Sequence, residues 1–215
     1  VQLVREGKAD IPMKGILQTS NFARAILNKE TGLIPTGGRR LVSQCGIFEY
    51  EGRFVMITDA AINIAPDVET QIGIVENALP VARALGIECP KVAVLSAVEN
   101  VTDKMPSTVS AKEIAERGVE GCVISGPLAL DGAISMESVK HKAIHDPVAG
   151  QADILLVPFI EIGNVLYKAC TYIAGKTMAS TICGASCPVI ITSRADTPDS
   201  KYYSILMAVL RCLKA

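Results

Sequence analysis

Apolar and polar positions in this chain alternate between short, unbroken apolar runs and longer stretches in which apolar residues recur at helical spacing. Residues 92–96, 121–125, 154–157 and 189–192 are runs of the first kind, and such runs suit strands buried on both faces. Each is followed by a stretch of the second kind, which predicts helices over 111–117, 136–144, 165–174 and 201–214. Strand-then-helix order repeated in this way predicts an α/β fold, a mostly parallel sheet covered on both faces.

The earlier part of the chain reads differently. Residues 1–7 resemble the tail of an amphipathic helix, 9–13 a short strand, and Lys14-Gly15 a turn leading to a helix over 21–28 with Thr19 or Ser20 as its N-cap. Residues 40–50 and 53–59, rich in Val, Ile and Phe around Glu51-Gly52, predict an antiparallel hairpin, a kind of ribbon that often serves assembly. Pro66 then opens a helix with apolar residues at Val68, Ile72, Val75, Leu79, Ala82 and Leu85, closed by Gly86 and expected to kink or break at Pro80. Breaker clusters at 31–38 and 184–188 divide the chain into a discontinuous first domain (1–32 with 186–215) and a second (33–185).

At 215 residues and 49% apolar, the chain can bury a substantial core. Its 21 basic and 22 acidic residues nearly cancel, so no bulk field draws nucleic acid or an anionic membrane surface. With 4% aromatics and no Trp, base-stacking platforms are also excluded. Any anion must therefore be caught locally. The seven cysteines include no CxxC pair and mostly sit in apolar runs, which reads as reduced, buried thiols and assigns no metal. No apolar run is long enough to cross a membrane, and a cytoplasmic location is the expectation.

Neither the dinucleotide fingerprint nor the Walker sequence occurs. Gly37-Gly38-Arg39-Arg40 reads as a solvated loop, and His141 with His145 as surface histidines. Ligands of parallel sheets bind beyond the carboxyl ends of the strands, so residues 14–24, 96–100, 125–131, 158–164 and 193–199 are expected to converge. Among them Ser193-Arg194 stands out: a hydroxyl and a planar, always-charged fork follow four apolar strand residues, an arrangement suited to phosphate. Gly126-Pro127 would let backbone approach a ligand, and Asn164 would cap a helix.

Taken together, Met13-Lys14-Gly15 with Thr19-Ser20 and Arg24-Ala25, the stretches 91–101, 126–134 and 148–153, Gly163-Asn164-Val165-Leu166-Tyr167-Lys168, and Thr192-Ser193-Arg194-Ala195-Asp196 resemble the phosphate acyltransferases, in particular the butyryl-transferring branch. The resemblance implies a two-domain, three-layer α/β/α fold of the isocitrate and isopropylmalate dehydrogenase type. It also implies reversible conversion of acyl-CoA and phosphate into acyl phosphate and CoA within a ternary complex, with no metal or redox cofactor, and a homodimer or higher homo-oligomer formed partly through the hairpin near Cys45 to Val55. By that resemblance Arg24 and Arg194 hold phosphoryl oxygens, as bidentate guanidinium groups can. Ser193 bonds the reacting sulfur or carbonyl oxygen, Thr19, Ser20 and Gly15 line the phosphate pocket, and Gly126, Pro127, Gly163 and Asn164 line the cleft. Asp199 is the expected base, with Asp196 competing. Members of the family usually carry further residues ahead of the position of Val1, so the N-terminal part is expected to be missing and turnover by this chain to be weak. The competing expectation is an acyl-CoA-sensing module of the same fold without turnover; loss of the Ser-Arg pair would favour it, and the pair is present.

Overall fold

A computed structural model describes residues 1–35, 40–193 and 195–213. In chain order these form α1 (Gln2–Arg5), α2 (Thr19–Ile26), β1 (Ser43–Tyr50), β2 (Arg53–Thr58), α3 (Val68–Ala84), β3 (Lys91–Leu95), α4 (Pro106–Arg117), β4 (Val123–Leu128), α5 (Leu130–Ile134), α6 (Met136–Lys142), β5 (Ile154–Leu156), α7 (Ile160–Lys168), a π-helical turn (Ala169–Ile173), β6 (Ala179–Cys183) and α8 (Pro198–Leu213). The six strands lie in the order β4-β3-β5-β2-β1-β6. From β4 to β2 all pairs are parallel, while β1 runs antiparallel to both β2 and β6. The sheet is therefore mixed, and mostly parallel.

Strand periodicity sorts the core into two layers. Val92, Val94, Ile154, Leu156 and Met56 face α3, α4 and α8, whereas Ala93, Leu95, Leu155, Val55 and Ile57 face α5, α6 and α7. Both faces of the sheet are thus covered by helices. The hairpin turns at Glu51-Gly52, both with positive φ (50° and 79°), the backbone of a two-residue turn whose twist matches the strands. It does not project as a ribbon, because β6 pairs with the free side of β1 and β5 with the free side of β2. Asp67 caps α3 by accepting from the Thr70 amide at 2.8 Å, and α3 continues through Pro80. Pro80 lies on its exposed face, where water reaches the backbone.

The predicted first and last strands are reduced to bridges. Met13 pairs parallel with Ile190, and Val189 pairs with Ile182 of β6, joining the two ends of the chain beside β6. Phe22, Ile26, Leu33, Val42, Ile182 and Val189 form a third apolar cluster at this junction. α8, assigned by expectation to the first domain, packs on β6 and α3 and buries Met207 in the main core. Its serines also reach the backbone of β6 and of Met178 just ahead of it. Ser200 Oγ accepts from the Met178 amide at 3.3 Å and Ser204 Oγ from the Ser180 amide at 2.9 Å, while the Ile182 amide donates to Val189 O at 2.8 Å.

Candidate active site

β2 ends in Thr58-Asp59, and the chain beyond it is organised by the Asp59 carboxylate. Oδ1 accepts from the amides of Gln44, Ala61 and Ile62, and Oδ2 from the amide and side-chain Nδ2 of Asn63, at 2.6–3.1 Å. Asp59 is 2% exposed, and burial pushes its carboxyl above the usual carboxylate value despite these five donors. Asn63 Nδ2 also donates to Val42 O at 2.9 Å, and Thr58 Oγ1 to Gln44 O at 3.0 Å, so the β2 end is locked to β1.

α7 packs onto this locked end through Gly163. Farther along the same helix, Asn164 Nδ2 donates to Ala60 O at 3.3 Å. Between α7, the 60–61 turn, β1, β6 and the segment after Ile190 lies a cavity of about 540 Å³, lined among others by Thr19, Gln44, Asn164, Tyr167, Ser180, Thr192, Ser193 and Asp196. Ser193 and Asp196 form one turn: the Ser193 amide donates to Asp196 Oδ2 at 2.6 Å, and the Asp196 amide returns to Ser193 O at 3.2 Å. Among the described residues, Glu161 and Lys168 are the other charged ones on the wall. The hydroxyls and amides gathered here are neutral donors and acceptors at neutral pH, a lining suited to an oxygen-rich ligand.

Of the expected site residues, the structure brings Thr19, Asn164, Ser193 and Asp196 together. Arg194 lies outside the described residues, as do Gly37, Gly38 and Arg39. Thr19 is the first residue of α2 and not its cap, since Gln18 occupies that position without a side-chain bond. Ser20 and Gly15 are exposed and do not line the cavity. Arg24, on the last turn of α2, lines a separate groove with Val1, Arg5 and Asn28. Asp199 sits exposed in the first turn of α8, where a carboxylate complements the helix dipole, and Thr197 accepts the Ser200 amide at 3.2 Å as its cap.

Three expectations are corrected. Asn164 is not a helix cap, because α7 begins four residues earlier and Asn164 lies inside it. Gly126 and Pro127 do not line this cleft: they belong to β4, at the opposite edge of the sheet, where a Cβ on Gly126 would stand 2.7 Å from Val94 Cβ. Gly163 is buried against the β2 end and serves packing, not lining.

Sequence reasoning missed Asp59 and Asn63, although Asp59 follows the six residues of β2 just as Ser193 follows the last run. Lys14, placed by the sequence in a turn and at the start of the 14–24 stretch without a role of its own, is only 5% exposed, and its Nζ donates to the carbonyls of Gly15 (3.1 Å) and Leu17 (3.3 Å), clasping the loop that delivers Thr19.

The family model described as phosphate acetyl/butaryl transferase matches residues 1–209. A phosphate butyryltransferase of Clostridium acetobutylicum is 47% identical over 98% of this chain and 71% of its own length. A phosphate acetyltransferase of Thermotoga maritima is 40% identical over 98% of this chain and 72% of its own. Among solved structures, a branched-chain phosphotransacylase from Enterococcus faecalis superposes with a TM-score of 0.90 at 42% identity, covering 98% of this chain and 76% of that one. A putative 4-hydroxythreonine-4-phosphate dehydrogenase from Salmonella typhimurium, at 14% identity and a TM-score of 0.55, shares the fold.

Proposed function

Because the chain belongs to the phosphate acetyl/butyryl transferase family, we propose that it transfers a short acyl group between CoA and inorganic phosphate, with butyryl or a branched short chain as the acyl group. The observation that carries this reading is the convergence of Thr19, Asn164, Ser193 and Asp196 on one cavity. In the reaction a phosphate oxygen attacks the thioester carbonyl carbon, the carbon–sulfur bond breaks, and the thiolate leaves with its electron pair to take up a proton. In reverse, a carboxylate removes the thiol proton as sulfur attacks the acyl phosphate. Atoms and electrons balance without an oxidant or reductant, so CoA enters as a substrate and the proposal calls for no resident cofactor or metal.

Within that proposal Ser193 donates to the reacting sulfur or carbonyl oxygen and Thr19 contacts the phosphate, with Ser20 and Gly15 shaping the loop around Thr19. Arg194 and Arg24 neutralise phosphoryl charge, a role that rests on the family resemblance. For the base, the cavity lining favours Asp196 over Asp199. The proposal retains a two-domain division of the isocitrate dehydrogenase type, supported by the pairing of Met13 with Ile190. It also retains a homodimer or higher homo-oligomer, for which the exposed apolar residues Tyr202, Leu206 and Leu210 of α8 offer a surface.

The test is phosphate- or arsenate-dependent CoA release from acetyl-, butyryl- and isobutyryl-CoA, with Arg194→Ala alongside. Release that favours the four-carbon substrates and vanishes in the variant is expected. CoA binding without release from any of the three would overturn the reading. Selectivity for one methylene should be modest, about 1–3 kcal/mol.

A further inference from the structure

Tyr167 stands on the wall of the cavity with Ser193 and Asp196, and its surroundings fix which way its hydroxyl works. Its ring packs against β1 at Gly46, where an added Cβ would meet Cδ2 and Cε2 at 2.6 Å. Its hydroxyl lies beside that of Ser180. Ser180 is 2% exposed, and its Oγ accepts from Gln44 Nε2 at 2.8 Å. Ser180 is itself held from behind through its amide by Ser204, whose hydroxyl donates to Ser200 O at 2.6 Å.

The direction of this chain matters. Gln44 Nε2 donates to Ser180 Oγ, which frees the Ser180 hydrogen to point at the phenol oxygen, an order that leaves the phenol hydrogen for the cavity. Burial, reinforced by the negative charge of Asp196, raises the phenol above its ordinary value, so the group stays a neutral donor at working pH. A second group in the same wall is also unspent: Gln44 Oε1 is buried and has no hydrogen-bond partner. A polar wall with a donor left over and an unpartnered acceptor behind it is built to be completed by a ligand.

We propose that the Tyr167 hydroxyl donates a hydrogen bond to a substrate oxygen in this cavity, either a phosphoryl oxygen or the thioester carbonyl oxygen as it gains charge. This rests on the acyl-transfer reading. Ser180 and Gln44 are positioning residues that keep the donor aimed, and Gly46 provides the depth its ring needs.

The experiment is steady-state kinetics of the full chain carrying Tyr167→Phe, with Ser180→Ala in parallel. Phe keeps the ring on Gly46, so melting curves of the variant should match the parent. A loss of about 10²-fold in kcat/KM is expected for Tyr167→Phe, the size seen when one transition-state donor is removed. A smaller loss in the same parameter is expected for Ser180→Ala, which keeps the phenol but frees its orientation. A loss confined to the phosphate KM assigns the phosphoryl oxygen, and a loss in kcat at saturation assigns the carbonyl oxygen. Tyr167→Phe kinetics within about twofold of the parent would overturn the donor role while leaving acyl transfer intact. A parent chain that releases no CoA from any acyl-CoA would instead overturn the acyl-transfer reading, and the donor role with it.

Discussion

A Cβ built on Gly163 would stand 2.6 Å from the carbonyl oxygen of Asp59 and 2.9 Å from Ala60 Cα, so α7 reaches the end of β2 only because residue 163 has no side chain. Both obstacles are backbone, and the Asp59 side chain pins that backbone with five hydrogen bonds. The helix is therefore the part that must move. Gly163→Ala is expected to destabilise the protein by about 1–3 kcal/mol, overpacking outweighing the helix propensity gained. It should also weaken activity, because Asn164 and Tyr167 move with the helix. Urea denaturation and the CoA-release assay check the two effects.

Asp59→Asn replaces an acceptor oxygen by an amide facing donors, and a cost of about 1–3 kcal/mol is expected from the amides left unmatched. The pH dependence has a definite sign. The folded carboxyl is raised above its unfolded value, so its favourable contribution is full below the unfolded value and is lost as pH rises through the folded one. Stability of the parent relative to Asp59→Asn should therefore fall on going upward through that window. Chemical denaturation of both proteins between acid and neutral pH measures it, and a gap that widens in the parent's favour would mean that the five donors outweigh burial.

Gly46→Ala acts on Tyr167 from below. The obstacle is the ring of a side chain, which can swing away, so the expected stability cost is about 1 kcal/mol, at the low end for an overpacked core. The expected loss of activity is larger, about tenfold or more, because the hydroxyl is displaced from Ser180. Thermal melting and kinetics on the same sample separate the two.

Asp196→Asn and Asp199→Asn distinguish the two candidate bases. Asp196 lines the cavity beside Ser193, and its replacement is expected to reduce turnover by about 10²-fold or more. Asp199 occupies the exposed first turn of α8, and its loss should cost only the few tenths of a kcal/mol of a helix-dipole contact. A reversed order in the pH–rate profiles would transfer the role to Asp199.

Arg24→Ala tests a role that comes from family resemblance, since Arg24 lines a different groove from Ser193. If its guanidinium serves phosphate, KM for phosphate should rise about tenfold or more, the value of a hydrogen bond to a charged group. An unchanged phosphate KM would confine Arg24 to the groove it shares with Val1 and Arg5.

The layered α/β architecture was legible because buried parallel strands leave continuous apolar runs such as 154–157, which little else in a chain of this size produces. β6 was not legible. Ser180 and Thr181 interrupt its apolar character, and those polar side chains are tolerated only because Gln44, Ser204 and Arg211 bond to them or to their backbone. The first and last predicted strands shrank to bridges for a related reason: each has few partners within the described residues. At the site, Ser193 and Thr19 could be found from their place after apolar runs or before a helix. Tyr167 and Gln44 could not be assigned, because a tyrosine in a helix and a glutamine in a strand carry chemistry only through a neighbour that is distant in sequence. Gly163 was picked out for the cleft, but whether a missing side chain serves ligand or packing is decided by what lies opposite it.

The serine bonds from α8 to β6 bear on how the protein behaves in a crowded solution. β6 ends the sheet, and an end strand normally offers a row of open amides to any other extended chain. Here the amides of Met178, Ser180 and Ile182, spaced two apart along that row, are taken by Ser200, Ser204 and Val189, and the Ile182 carbonyl by Arg211 at 3.0 Å. No free ladder is left at those positions for a foreign strand to extend, so the same hydroxyls that steady Ser180 beneath the cavity also protect the fold from growing into an intermolecular sheet.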